Sequence, residues 1–391
     1  MSLLEKHGIE KDTTVTPLRG KGFWFLMRIR APRWLRPAHM ILQVGSTLVL
    51  TSCTMVLPSA DTSPVERDLK LSSMGVLDMR AEFRNEFCKR LPSKTSCLDI
   101  LLHLPGEPPS KTSLVSSVTR KSVKGDTPSM LAQQYRLAFV PGLLAGCMGS
   151  SAMPFTDTVD TLRAEGFDAR VLSIEGRGTS EHNADLIAQQ INDASPDTRP
   201  WIVFGYSKGL ADVLEALVRH PAITRNIAAV VSYAGAVGGS QLADETNNLS
   251  KNLLEYVPLP GCDRGDGSSV HSLSRDVRHT WWQSHHMKLH LPFYSIVAAP
   301  RAERVSYPLR SSYAMLSRTD TLNDGQLLAT DAVVPGSVLL GYVNADHWAM
   351  AMPLSKQIPV AGALFIDDVP RVDLVLASLQ VISHHTSKTH E

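Results

Sequence analysis

Along residues 135–382 short apolar runs alternate with amphipathic stretches, and this rhythm predicts the architecture. Residues 135–140 form an apolar run ending at Pro141-Gly142, which predicts a strand closed by a turn. Helices are expected over 155–165, 184–191 and 210–218, and strands over 169–174, 201–204 and 227–233. The strand pattern returns at 293–298 and 337–343, and a last helix is expected over 371–382. Runs of this length, separated by helices, are the mark of strands buried on both faces of a mostly parallel sheet. The expected fold class is therefore α/β, with helices on both sheet faces. Between 243 and 288 the rhythm stops in a polar stretch carrying Trp281 and Trp282, which reads as a cap or lid insertion. Residues 75–91 carry Val76, Met79, Phe83 and Phe87 at helical spacing, and the Ser/Lys/Pro-rich 106–130 reads as loop.

The first 52 residues have a different character. Arg28, Arg30, Arg33 and Arg36 precede an apolar run at 40–50, too short to span a bilayer comfortably but suited to an export signal. The run ends in Leu50-Thr51-Ser52-Cys53, which resembles the lipobox of bacterial lipoproteins. That resemblance implies cleavage before Cys53, its acylation, and membrane attachment in the bacterial envelope facing the periplasm. By the same resemblance, Thr54 after the cysteine implies outer-membrane sorting. Residues 1–26 precede the usual start of such a signal, which makes Met27 a candidate initiator.

The expected organisation is a signal over 1–52, a tether and N-terminal extension over 53–134, core over 135–242, a cap over 243–288, further core over 289–383 and a frayed tail over 384–391. Charge follows the same division. The whole chain of 391 residues has a net charge of +1, but residues 1–52 hold eight Lys/Arg against three Asp/Glu. The remaining 339 residues hold 31 basic and 35 acidic side chains, a net of −4. This balance argues against a nucleic-acid partner. Without Cys53, four cysteines remain: Cys88, Cys97, Cys147 and Cys262. In an oxidising compartment they allow three pairings. Cys88–Cys97, which is local, and Cys147–Cys262, which flanks the candidate site, form the favoured set over four free thiols.

The chemistry centres on Gly205-Tyr206-Ser207-Lys208-Gly209, a G-x-S-x-G pattern. Alone it is weak evidence. Here an apolar strand leads in and a helical pattern leads out, as a nucleophile elbow requires, and the tight turn explains the glycines. Against this stands an ordinary helix cap by Ser207. A serine nucleophile needs a base, an orienting acid and an oxyanion hole. His347 follows the last strand and is the expected base. Asp324, in Asn323-Asp324-Gly325, is the first choice of acid, Asp331 the second and Asp320 a third, while Asp346 is expected to be structural. The Lys208 N–H and an N–H of the 140–146 loop, Leu143 with Leu144 as alternative, are the expected oxyanion donors.

Residues 135–382 resemble the α/β-hydrolase superfamily in its bacterial lipase and esterase branch. The oxyanion loop VPGLLAG carries Pro141 where that branch often has His. IEGRG at 174–178 with Asn183-Ala184, the 239–244 segment, and NDG followed by DHWA occur in the branch's order. The resemblance implies hydrolysis of small-molecule or lipid esters through an acyl-enzyme, with no metal or organic cofactor. Thioester, amide or polyester hydrolysis by the same triad is the alternative, and a non-catalytic envelope lipoprotein is a further one. His279, His285, His286 and His290 invite a metal reading, but no Cys or carboxylate motif completes a site.

Overall fold

The computed structural model describes residues 73–107 except Lys94, then 127–147, 149, 153–193, 196–245, 259, 261–262, 265, 268–357 and 359–389. Cys53 and the whole proposed signal lie outside the described residues. Seven strands form one parallel sheet: β1 (Leu77–Asp78), β2 (Arg136–Val140), β3 (Ala169–Val171), β4 (Trp201–Ser207), β5 (Ile227–Gly235), β6 (Phe293–Ala298) and β7 (Val338–Val343). Their order is β1-β7-β6-β5-β4-β2-β3.

Period-two alternation assigns the side chains to two cores. Leu137 and Phe139 of β2, Ile202, Phe204 and Tyr206 of β4, and Val231 and Tyr233 of β5 enter one core. Helices α1 (Arg80–Cys88), α2 (Pro128–Gln134), α3 (Thr156–Ala164) and α8 (Arg371–Thr389) line that face. Ala138, Val140, Trp201, Val203 and Val230 face the other side, against α4 (Ser180–Ile191) and α5 (Lys208–Arg219). Each large apolar side chain buried this way contributes about 1.5–3 kcal/mol. Two-sided burial is why these strands show continuous apolar runs.

Several boundaries differ from the sequence expectation, each for a local reason. Helix α4 starts at Ser180 because the Thr179 hydroxyl accepts from His182 N–H at 3.1 Å. Strand β4 runs through Gly205 to Ser207, and α5 begins at once at Lys208. Residues 77–88, expected in an extension, join the main sheet: Leu77 and Asp78 pair with β7, and Phe83 and Phe87 are buried in the core. Part of the expected 106–130 loop, 108–126, lies outside the described residues, but Thr127 caps α2. The expected frayed tail is helical to Thr389, with the Tyr294 hydroxyl 2.8 Å from His385 Nδ1.

Both favoured disulfides are present, Cys88–Cys97 and Cys147–Cys262, with Cα separations of 5.4 and 4.6 Å. The second joins the loop after β2 to the 243–288 segment. Within that segment, α6 (Arg275–His285) packs closely on the core. Trp281 and Trp282 lie against the α4–α5 core, and Trp281 Nε1 donates to Glu215 on α5 at 2.5 Å. The helix ends at His285, so His286 and His290 do not share a helical face. His285 and His286 instead stack on Trp281 and Trp282.

Candidate active site

Ser207 sits where β4 turns into α5, with φ 54° and ψ −129°. A non-glycine residue with positive φ carries backbone strain of order 1–3 kcal/mol, which its surroundings must hold. Here close packing holds it. A Cβ on Gly205 would come within 2.7 Å of Leu210 Cα, and one on Gly209 within 2.3 Å of the Val140 and Pro141 carbonyl oxygens. Gly209 thus lets the helix press its first turn against the end of β2, and Gly205 lets β4 turn tightly onto Leu210. Although Ser207 occupies the cap position of α5, its hydroxyl makes no capping bond. It lies 2.9 Å from His347 Nε2 instead.

His347 opens the short helix α7 (His347–Ala351) just past β7. Its Nδ1 is 2.6 Å from Asp324 Oδ2. The other Asp324 oxygen accepts from the N–H groups of Gln326 at 2.8 Å and Leu327 at 2.7 Å. A carboxylate only accepts, so it fixes the proton on Nδ1 and leaves Nε2 to accept from the serine hydroxyl. Asp324 and His347 are both buried, which keeps water from competing for these bonds.

Other groups aim the imidazole. The Tyr206 ring stacks on it at 5.0 Å between centroids, and the Tyr206 hydroxyl donates to the His347 carbonyl at 2.9 Å. Burial holds the Tyr206 phenol well above its ordinary pKa, so it remains a donor. Phe155 backs Tyr206 edge-on at 5.7 Å, and its N–H bonds to the Ala351 carbonyl of α7. Asp346 has the structural place expected of it. Its two oxygens accept from Ala349 N–H at 2.9 Å and Ser306 N–H at 2.7 Å, capping α7. Burial raises its pKa, against the lowering effect of these bonds. Asp331 lies in the turn Ala329–Ala332 beside Gly238, and Asp320 accepts from Leu322 N–H, so neither takes the place of Asp324 at the imidazole.

The 140–146 loop lies against the serine: a Cβ on Gly142 would fall 2.7 Å from Ser207 Cβ. Leu144 N–H is committed to the Gly176 carbonyl at 2.8 Å, which removes it as an oxyanion donor. Leu143 N–H takes no backbone acceptor among the described residues. Lys208 N–H opens the first turn of α5, where main-chain donors have no helical acceptor.

The Lys208 side chain is a feature that sequence reasoning missed. It is 1% exposed and bonds Asp212, 0% exposed, at 2.7 and 3.0 Å. The i, i+4 spacing on α5 was the available signal. Arg278 of α6 is also buried, its guanidinium 4.7 Å above the Trp281 ring. Desolvation pushes its pKa down to about 10, partly offset by Asp212 and Glu215. Among the described residues no group of three or more His, Cys, Asp or Glu is arranged to hold a metal ion.

The arrangement joins a strained serine to a tautomer-fixed histidine and a buried carboxylate, beside two main-chain N–H groups. This set suits nucleophilic attack on an acyl carbon. The chain is 32% identical to a metagenomic carboxyl esterase, MGS0156, over 87% of this chain and 99% of that one, with a TM-score of 0.71. It is also similar in fold to EstA from Clostridium botulinum (11% identity, 84% and 99% covered, TM-score 0.47). A third similar structure is mature Bacillus licheniformis lipase BlEst2 (20% identity, 55% and 84% covered, TM-score 0.44). No protein-family model and no curated protein matches the chain. Its parallel sheet and its likeness to the metagenomic enzyme along nearly the whole of that chain place this protein in the α/β-hydrolase family of esterases.

Proposed function

We propose that this protein hydrolyses carboxylic esters through Ser207, His347 and Asp324, and that it is lipid-anchored through Cys53. The observation that carries the first part is the continuous relay from Ser207 Oγ to His347 Nε2 and from Nδ1 to Asp324. In the proposed cycle His347 takes the hydroxyl proton as Ser207 attacks the ester carbonyl. The Leu143 and Lys208 N–H groups hold the oxyanion. His347 then protonates the departing alcohol, and a water activated by the same imidazole releases the acid. Asp324 keeps the tautomer and stabilises the imidazolium. The likeness to a carboxyl esterase puts carboxylic esters ahead of amides and thioesters as acyl donors.

A panel of nitrophenyl esters of increasing acyl length tests this reading. Turnover that disappears in Ser207→Ala supports it, whereas equal turnover in that variant contradicts it. The anchor rests on the basic stretch, the apolar run and Leu50-Thr51-Ser52-Cys53 in that order. Metabolic labelling with a fatty-acid probe in a bacterial host tests it: wild type should be labelled and Cys53→Ser should not, and label retained in the variant excludes the anchor.

A further inference from the structure

The two proposed oxyanion donors come from separate parts of the chain, Leu143 from the loop after β2 and Lys208 from the start of α5. We infer that Asn183 and Asp212 are positioning residues that hold these two donors in register, an inference resting on the ester-hydrolase reading above. The connection can be followed bond by bond. Next to Leu143, the Leu144 N–H donates to Gly176 O at 2.8 Å. A Cβ on Gly176 would lie 2.4 Å from Ala145 O, so the 174–178 segment rests directly on the oxyanion loop. Neighbouring Glu175 is gripped on both sides of its main chain by Asn183: its N–H donates to Oδ1 at 3.0 Å, and its carbonyl accepts from Nδ2 at 3.1 Å. The same Asn183 Nδ2 donates to Asp212 Oδ2 at 2.8 Å. Asp212 in turn takes Lys208 Nζ at 2.7 and 3.0 Å and the Ser180 hydroxyl at 2.7 Å.

The side chains of Ser180, Asn183, Lys208 and Asp212 are all buried. A buried ion pair is a weak source of stability, because apolar residues of similar size often replace it without loss. Its location gives it a different role. Lys208 is the first residue of α5, so anchoring its side chain one turn down sets the orientation of its own N–H. Asn183 ties that anchor to the segment carrying the Leu144 bond. The oxyanion hole would therefore behave as one rigid unit, with both donors aimed before substrate arrives.

The test compares wild type, Asn183→Ala and Ser180→Ala in the full chain. Nitrophenyl butyrate supplies kcat and KM, and a fluorophosphonate supplies the fraction of sites labelled and the labelling rate. Loss of one oxyanion donor lowers kcat by about 10²–10³-fold, and a displacement of about 1 Å costs about 10²-fold. On that basis Asn183→Ala is expected to lower kcat per labelled site by about 10–100-fold, with KM within about threefold. The labelling rate should fall in parallel while its end point stays near one per chain. Ser180→Ala, which removes one of the donors to Asp212, should lower kcat by about threefold. A purely structural role would reduce the labelled fraction and leave kcat per labelled site intact, and that result overturns the inference. If Asn183→Ala yields no labelled protein, Ser180→Ala decides, and an unchanged kcat per site there overturns it. A wild-type protein that is not labelled at Ser207 would defeat the ester-hydrolase reading itself, whatever the variants do.

Discussion

Replacing Asp324 by Asn perturbs the site with little change in shape. The amide oxygen can keep the bonds from Gln326 and Leu327 N–H, but the amide nitrogen must then face His347 Nδ1 in place of Oδ2 at 2.6 Å. Two N–H groups cannot share that bond, so the imidazole moves its proton to Nε2. Nε2 then faces the Ser207 hydroxyl as a donor and cannot take its proton. In a serine-protease triad the same change lowers kcat by about 10⁴-fold, equivalent to about 5.5 kcal/mol of barrier. A decrease of about 10³–10⁴-fold is expected here, with KM within a few-fold. Loss of a charge-assisted bond should reduce stability by only about 1–3 kcal/mol. Nitrophenyl butyrate turnover, normalised to intact protein by circular dichroism, measures the effect. Asp331→Asn provides the contrast, with kcat expected within about threefold, because Asp324 is the carboxylate on the imidazole. An Asp324→Asn variant retaining a tenth of wild-type activity, or a hundredfold loss in Asp331→Asn, would refute the assignment of the acid.

Three further outcomes follow from the packing. Replacing Cys147 and Cys262 by Ser opens a cross-link spanning 115 residues, for which chain entropy predicts a loss of about 4–5 kcal/mol, against about 2–3 kcal/mol for the Cys88–Cys97 pair spanning nine; chemical denaturation should rank them so, and the reverse order would mean that the short bridge does more than restrict the unfolded chain. Arg278→Met is expected to stabilise by about 1–2 kcal/mol near neutral pH, since burial holds the guanidinium well below its ordinary pKa, at about 10, a net penalty of about 3 kcal/mol that contact with Trp281 offsets in part. That folded value is depressed, so the penalty is complete below pH 10 and fades as pH rises above it; the gain should shrink in that range, and a destabilised variant at pH 7 would contradict the reasoning. Tyr206→Phe keeps the stack on His347 but removes the hydroxyl that donates to the His347 carbonyl, which should lower stability by about 0.5–1.5 kcal/mol in thermal unfolding; an unchanged melting temperature would place that bond among the dispensable ones.

The parts of this molecule legible in the sequence are those where a local pattern and a tertiary demand coincide. Buried parallel strands must be apolar on both faces, so β2, β4, β5 and β6 announce themselves as runs. The elbow needs small residues at two places where backbones nearly touch, so Gly205 and Gly209 were visible beside Ser207. What escaped depends on partners far along the chain. Strand β1 is two residues long, and only its pairing with β7 identifies it. Leu143 and Leu144 look equivalent in sequence, and the distant Gly176 carbonyl separates them. Lys208 resembles any exposed helical lysine until Asp212, Ser180 and Asn183 converge beneath it. Asp324 and Asp331 both precede β7 in the sequence, and only the fold shows which carboxylate lies on the His347 ring.

Ser207 is expected to be the one activated nucleophile of this protein. Intact-mass and peptide mapping after treatment with a fluorophosphonate test it most directly. One adduct per chain is expected, on the peptide containing Ser207, and none in Ser207→Ala. An adduct on another residue, or equal labelling of the alanine variant, would contradict it.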